Sequence, residues 1–408
     1  MKGKQRFLAM SLSLLAILPA WNASYAASKV VGSFEEVVAD AAVEVLKRTG
    51  NQPVSIGEFT STGLRKTNSG PAIDDLLRKA LEKINPASVK ETGDAPFEVK
   101  GDYALRKVDR DRDAGRDKSE TSLSDFLPDG LQVIELTFRV ISIGTGEKKT
   151  FELARFVDDN KSIARLLQIA GKVDVGHGTT REDRLERNER IAELAKHPQS
   201  FVDPAAPAII KSSKESPYAI EILAESLEEH LKHKDNPQSH HPAPLEARVD
   251  PKTGFAFVDV PRDFVYEIRL FNTSGQEAAA AVSIDGLDMF QFSDDVNKET
   301  GKPLYGHLVF DQEAIAVGWH KSVAKQRFDR FLVTEYGKGA SAKTGKQATA
   351  QTGVIQVAFS RSSPLLPGRQ KRSAGNETGF GPPEKVEQTP VEREITPPVD
   401  FVTVRYTR

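Results

Sequence analysis

Two hydrophobic periods alternate over the first half of the chain. Phe34, Val37, Val38, Ala41 and Val45 recur at i, i+3, i+4, i+7 and i+11. They follow the capping-box sequence Ser33-Phe34-Glu35-Glu36, so the pattern predicts an amphipathic helix to about residue 48. Residues 54–59 predict a short strand. A polar loop over 60–70 leads to Pro71, which suits a first helical turn because no N–H is lost there. Ile73, Leu76, Leu77, Ala80, Leu81 and Ile84 then form one apolar stripe, which Asn85-Pro86 ends. Period two takes over at Phe97, Val99, Tyr103 and Leu105, and again at Ile134, Leu136, Phe138 and Val140, as in strands with one buried face. Gly144-Thr145-Gly146 turns the second of these back into a strand over 151–157. A helix over 162–170 closes the unit.

Between 172 and 200 the pattern changes. Thr179 and Glu182 have capping-box spacing and begin a helix predicted through His197. Its apolar content is thin (Leu185, Ile191, Leu194 and two alanines), as expected of a helix lying across a surface or joining domains. The second half reads as β. Candidate strands fall at 254–259, 264–272, 277–284, 304–310, 313–319, 329–335 and 353–359, with turn residues between most of them, which favours an antiparallel sandwich. Residues 366–398 are rich in Pro, Gly, Glu and Lys and read as disordered. Residues 399–408 read as a strand that returns to fill, and so protect, a sheet edge.

The expected fold class is therefore α+β, with an N-terminal α/β sandwich and a C-terminal antiparallel β-sandwich. The divisions are a signal peptide (1–26), an α/β domain (27–172), a charged connecting helix (173–200), a β-sandwich (201–365), a disordered segment (366–398) and the returning strand (399–408). A length of 408 residues suits two or more domains.

Ahead of these elements, Lys2, Lys4 and Arg6 precede an apolar run over 7–17, then Pro19, and Ser24-Tyr25-Ala26 offers small residues for cleavage. That is the pattern of an export signal, and it implies a periplasmic or secreted protein. The run is too short to span a bilayer and no later stretch approaches ~20 apolar residues, so no membrane span is expected. The chain contains no cysteine, which excludes disulfides, thiolate metal sites and a lipidated Cys. Its net charge is −2, and about −5 without the three basic residues of the signal, which gives no general attraction to nucleic acid or anionic lipid.

The order of elements over 33–157 resembles the exported α/β domain of the curli-secretion channel subunit and of the lipoprotein activators of penicillin-binding proteins. The TolB N-terminal domain, of anticodon-binding-like fold, is a more distant relative. Val54-Ser55-Ile56-Gly57-Glu58-Phe59, the polar loop and the helix after it carry the resemblance, with Phe97-Glu98-Val99-Lys100-Gly101-Asp102-Tyr103 and the hairpin Gly144-Thr145-Gly146-Glu147. It covers about a third of the chain. The resemblance implies a non-catalytic domain that binds partners in the cell envelope, so no active-site residues carry over. The missing Cys departs from the tethered members, and no pair of long alternating hairpins suits a channel. The second half resembles an uncharacterised envelope β-domain.

Four segments bear on chemistry. Residues 109–120 place oxygen ligands at positions 1, 3, 5, 9 and 12 of a twelve-residue loop (Asp109, Asp111, Asp113, Asp117 and Glu120), the spacing of a calcium loop. However, Ala114 stands where the turn needs Gly, Arg116 where an apolar residue is usual, and bases alternate with the acids. The bland reading is a solvated charged hairpin. His230, His233, His240 and His241 cluster, and imidazoles at i and i+3 can share a metal; without an H-E-x-x-H spacing the segment reads as a polar linker. Residues 339–346 superficially suggest a phosphate loop, but the spacing fails at Ala340, and Gln347 replaces the hydroxyl that would hold magnesium. Trp319-His320, at a strand end, is either a ligand-contacting pair or a partly buried aromatic with a satisfied imidazole. No G-x-S-x-G elbow occurs.

These readings assign no catalytic, cofactor-binding or metal residue, and no cofactor. They lead to an exported, non-enzymatic envelope protein that binds a protein or a cell-wall component, with the 60–70 loop and the helix face beside it as the presented surface and the β-sandwich as a second one. The alternatives are an envelope-polymer hydrolase with its site in the second half, and a calcium-dependent structural or adhesion module.

Overall fold

The computed structural model describes residues 30–63, 67–109, 127–143, 150–173, 175, 180–233, 242–298, 303–334, 352–364, 383–385 and 390–407. The fold is mixed α+β and rich in sheet. Its first sheet contains β1 (Val31–Gly32), β2 (Val54–Ser61), β3 (Phe97–Lys107), β4 (Gln132–Ser142) and β5 (Thr150–Val157), in the order β1-β5-β4-β3-β2. The strands β3, β4 and β5 are antiparallel, whereas β2 lies parallel to β3 and β1 parallel to β5. Parallel neighbours need a crossover; α2 (Gly70–Ile84) supplies it between β2 and β3, while α1 (Phe34–Arg48) carries the chain from β1 at one edge of the sheet to β2 at the other. The Ser33–Glu36 capping box forms as the sequence predicts. Residue 70 must be small, because a Cβ there would collide with the Phe59 carbonyl. Within the predicted stripe of α2, Ile73, Leu77 and Leu81 are buried, while Ile84 is exposed.

Two further helices depart from the sequence reading. Helix α3 (Asn160–Leu167), capped by Asp159, stops short of the predicted residue 170 because Gln168 adopts a left-handed conformation at φ 51°. Helix α4 (Arg181–Lys196) is capped by Thr180 with Asp183 as its box partner, one residue later than the expected Thr179–Glu182 pair. It is no loose connector. Ile191 and Leu194 join the core beneath α1 and α2, and Asn188 makes two hydrogen bonds to the Gln132 backbone at the start of β4.

The second half begins with β6 (Gly171–Lys172), β7 (Phe201–Asp203), β8 (Ala206–Lys211), β9 (Tyr218–Ser226), the short helix α5 (Leu227–His233), β10 (Ala243–Pro244), β11 (Ala247–Val249), β12 (Ala256–Val258) and β13 (Phe264–Asn272). It continues with β14 (Ala278–Ile284), β15 (Leu287–Asp288), β16 (Leu308–Phe310), β17 (Glu313–Ala316), β18 (Gly318–Ser322), β19 (Arg327–Val333), β20 (Thr352–Pro364), β21 (Pro383–Lys385), β22 (Arg393–Ile395) and β23 (Asp400–Thr407). Two sheets result, with main paths β18-β19-β13-β9-β8-β7 and β11-β12-β23-β20-β14-β15. They share one apolar core, with Ile220, Ile222, Ile268 and Leu270 from the first and Val282, Ile355, Val357 and Val404 from the second.

The second of these sheets is buried on both faces. Ala281, Ala358 and Phe401 point away from the shared core and pack with Ile163, Ile169 and Leu194 of the helical layer. Polar groups fix that contact, since the Ile169 carbonyl accepts from Gln356 Nε2 at 2.9 Å and from Thr403 Oγ1 at 2.6 Å. Thr403→Val keeps the shape and removes one donor. It should lower stability by ~1 kcal/mol, read as a shift in denaturant midpoint at unchanged slope.

Two expectations for the second half are corrected. The strand ending the sequence, β23, does not fill an edge; it lies between β12, parallel, and β20, antiparallel. The segment 366–398 is not wholly unstructured, because 383–385 pair with 327–329 and 393–395 pair with 362–364. The strands β7 to β11 all precede residue 254, where the sequence reading began the sandwich strands. The missed signal in β9 was period two, with Ile220, Ile222 and Ala224 inward and Glu221 and Glu225 on the opposite face.

Candidate functional site

The connection from β15 to β16 spans residues 289–307, a length that is unusual within a compact fold and that commonly carries function. Its described parts, 289–298 and 303–307, are fastened at many points. Met289 and Phe290 are buried anchors. The Gln291 side chain donates to Asp75 of α2, and Lys79 Nζ donates to Gln291 O at 3.0 Å. Lys321 Nζ donates to Phe292 O at 3.0 Å, while Asp294 N donates to Lys321 O at 2.8 Å. Asp295 Oδ2 accepts from Val323 N at 2.6 Å, and Oδ1 accepts from Ser322 Oγ at 3.3 Å. Leu304 N donates to Asp295 O at 2.9 Å, which draws the two limbs together. This bracing holds Val296 (39% exposed) and Leu304 (38%) outward as large apolar side chains.

His320 lies under the connection, fully buried (0% exposed) among Phe290, Tyr305 and Phe328, with ring centroids 5.2–5.7 Å away. Its Nδ1 is 3.0 Å from Ser293 Oγ, and its Nε2 is 3.9 Å from Asp295 Oδ2. A proton on Nε2 faces the Asp295 charge, so that tautomer is electrostatically favoured, with Ser293 donating to Nδ1. Burial pushes the imidazole down to about 4 despite the opposing pull of Asp295 and Asp294. Serine, histidine and aspartate thus meet, but their geometry suits bracing. The acid is beyond hydrogen-bond range of the ring, and Ser293 Oγ already accepts from Asp295 N at 3.0 Å.

The roots of the connection carry a second set of ionisable groups. Asp288 is raised to about 6 by burial, with Lys161 and Arg165 of α3 pulling the other way and Glu35 of α1 adding to the rise. His307 is lowered to about 3 by burial and by Lys161. Arg165 is paired with Glu35 at 3.2 Å and lies over the Phe34 ring. The charges of the helical layer are thus felt at both ends of the connection.

The sequence-derived candidates fare differently. Of the calcium-like loop, only Asp109 falls among the described residues; 110–120 lie outside them, as do His240, His241 and 339–346. His230 and His233 do not share a site. His230 is buried with Nδ1 2.9 Å from Glu225, and His233 lies 3.7 Å from Glu229. Among the described residues no group of three or more His, Cys, Asp or Glu is placed to hold a metal. Likewise, no helix among them is long and apolar enough to cross a membrane. Of the Trp319–His320 pair, Trp319 is buried rather than partly so, and the His320 ring has Ser293 Oγ 3.0 Å from Nδ1.

The loop expected to face a partner is tied inward over its second half. The buried Tyr103 hydroxyl donates to Thr67 O at 2.9 Å and accepts from Ser69 N at 3.0 Å, and Ser69 Oγ donates to Leu166 O at 3.0 Å. Tyr103→Phe strands Thr67 O and Ser69 N, and should cost ~1–3 kcal/mol in a thermal or denaturant melt. The 289–307 connection was not singled out in the sequence. A usable signal was Met289, Phe290 and Phe292 beside Asp294 and Asp295 in a stretch too irregular for a strand. No protein-family model, curated protein or solved structure matches the chain.

Proposed function

We propose that this is an exported cell-envelope protein that acts by binding a protein partner through the braced 289–307 connection. The observation that carries the reading is the outward display of Val296 and Leu304 on a backbone fixed to α2, β18 and the turn after β18. Fixing a loop before binding reduces the entropy lost on association, so preordered apolar side chains favour a protein contact over chemistry. The export pattern at the N-terminus and the resemblance over 33–157 to envelope partner-binding domains support the compartment. In this reading, 27–172 and 201–365 are two domains, the first of the TolB N-terminal-like kind, bridged by 173–200 and completed by 399–408. The primary surface moves from the 60–70 loop to 289–307.

A photo-crosslinking residue at Val296 should give one reproducible adduct in cell-envelope extracts, absent when the same residue replaces the exposed Ile84. Equal adduct patterns at both positions, or none at Val296, would sink the proposal.

A second reading, an envelope-polymer hydrolase, rests on the Ser293–His320–Asp295 cluster. A serine-directed fluorophosphonate separates the two. The binding reading expects no labelling of Ser293, and the hydrolase reading expects labelling that Ser293→Ala abolishes.

A further inference from the structure

We propose that Asp400 is a proton-held latch, which as a neutral acid ties the 212–217 turn to β23 and on ionising frees that turn. Asp400 is the first residue of β23, where three parts of the fold meet. It lies opposite Lys172 of β6 and Phe359 of β20, and its buried carboxyl reaches the turn between β8 and β9. There Ser216 Oγ lies 2.6 Å from Asp400 Oδ2 and 3.0 Å from the Tyr218 carbonyl oxygen, and it accepts from Tyr218 N at 3.1 Å. A serine hydroxyl has one proton to give, so with an ionised Asp400 one of those two oxygen pairs has none between its atoms. A protonated Oδ2 removes the conflict. It donates to Ser216 Oγ, and Ser216 donates to Tyr218 O, in one chain running from β23 to the start of β9. Asp400 Oδ1 and Ser212 Oγ are buried without a hydrogen-bond partner, an arrangement that costs a carboxylate far more than a neutral acid.

The surroundings do little to rescue the charge. Lys172 of β6 and the two serine hydroxyls favour it, and burial outweighs them, lifting Asp400 to about 6. Lys211, at the end of β8, is committed to the Ser216 carbonyl, to which its Nζ donates at 3.2 Å. Lys214 and Glu215 of the turn are exposed. From β20 and β9 the neighbours are Phe359 and Tyr218, whose rings stack with centroids 4.9 Å apart. Below about 6 the latch is therefore shut. As pH rises through that value the carboxylate captures the Ser216 hydroxyl, Tyr218 O loses that donor, and the turn comes away from its seat. The change is confined to one end of the sandwich beside β6. It depends neither on the 289–307 connection nor on the compartment.

Carbon-13 labelling of the aspartate carboxyls tests the latch in the full-length chain. The Asp400 carboxyl resonance should hold the position of a neutral acid at pH 5 and move to that of a carboxylate as pH passes through about 6. Amide hydrogen exchange over residues 212–218 is then compared with Asp400→Asn, whose side-chain amide keeps a donor toward Ser216 at every pH. Rates in the turn should match in the two proteins at pH 5. At pH 7.5 the wild-type turn should exchange several-fold faster than that of the variant, and faster than its own β4. A carboxylate resonance at pH 5, equal turn rates in the two proteins at pH 7.5, or a turn that exchanges no faster than β4 overturns the proposal. If Asp400→Asn fails to fold, the wild-type resonance and the turn's exchange relative to β4 at the two pH values decide.

Discussion

Ending the chain at residue 398 is expected to abolish its cooperative thermal transition. β23 is an interior strand of a sheet buried on both faces, so its loss opens two cores at once. Phe401, Val402, Val404 and Tyr406 are all buried, at ~1.5–3 kcal/mol each. Together they contribute on the order of 8 kcal/mol, comparable with the ~5–15 kcal/mol that separates a folded protein from its unfolded state. The backbone groups of β20 and β12 that face the strand would also lose their partners. Calorimetry of the shortened chain should show no sharp endotherm. A transition like that of the intact chain would mean that the sheet closes without β23.

The second large effect is a change in how stability depends on pH in Asp400→Asn. Asp400, 1% exposed at the root of β23, is pushed up to about 6 by burial, which the Ser212 and Ser216 hydroxyls and the charge of Lys172 only partly offset. In the unfolded chain it titrates near 3.8. Below that value both states hold the proton, and its contribution is fully present. Between 3.8 and about 6 the unfolded state releases a proton that the folded state retains, so stability falls as pH rises and then levels off. Two pKa units amount to ~3 kcal/mol. His320 and His307 work in the opposite direction, since their lowered values make acid destabilising below about 6.5. The wild-type profile alone therefore hides the effect, but the histidines cancel in the difference between the two proteins. Wild type minus Asp400→Asn, from denaturant midpoints at pH 7 and pH 4, should move by ~2 kcal/mol in favour of wild type at pH 4, where the unfolded state has already released part of its proton. A difference independent of pH would show that Asp400 is already charged in the fold near pH 5.

Much of the first sheet and its helices was legible because each element keeps one period and one buried face. The stripe in α2 and the alternation in β3 and β4 are examples. Reading failed where burial came from two sides or from charge. Ala278 to Ala281 in β14 are buried because one face meets the sandwich core and the other the helical layer, so no alternation marks the strand's environment. Helix α4 looks detached by composition, yet a single asparagine docks it on β4. The candidate site was illegible for a related reason. His320, Ser293 and Asp295 lie far apart in sequence from α2, α3 and Glu35, and only the fold brings the connection against them. Pairing of β23 with β12 rather than at an edge depends on registers that periodicity does not encode.

The central claim is that Val296 and Leu304 form the contact surface, and one paired measurement tests it most directly. The Val296→Asp/Leu304→Asp protein and the wild type are each immobilised and exposed to the partner identified by crosslinking, with the melting temperature of both recorded. Both substitutions fall on exposed side chains, so the melting temperatures should agree within a degree or two. Binding should weaken at least tenfold in the variant. Unchanged affinity with unchanged melting would contradict the account and place the contact elsewhere on the molecule.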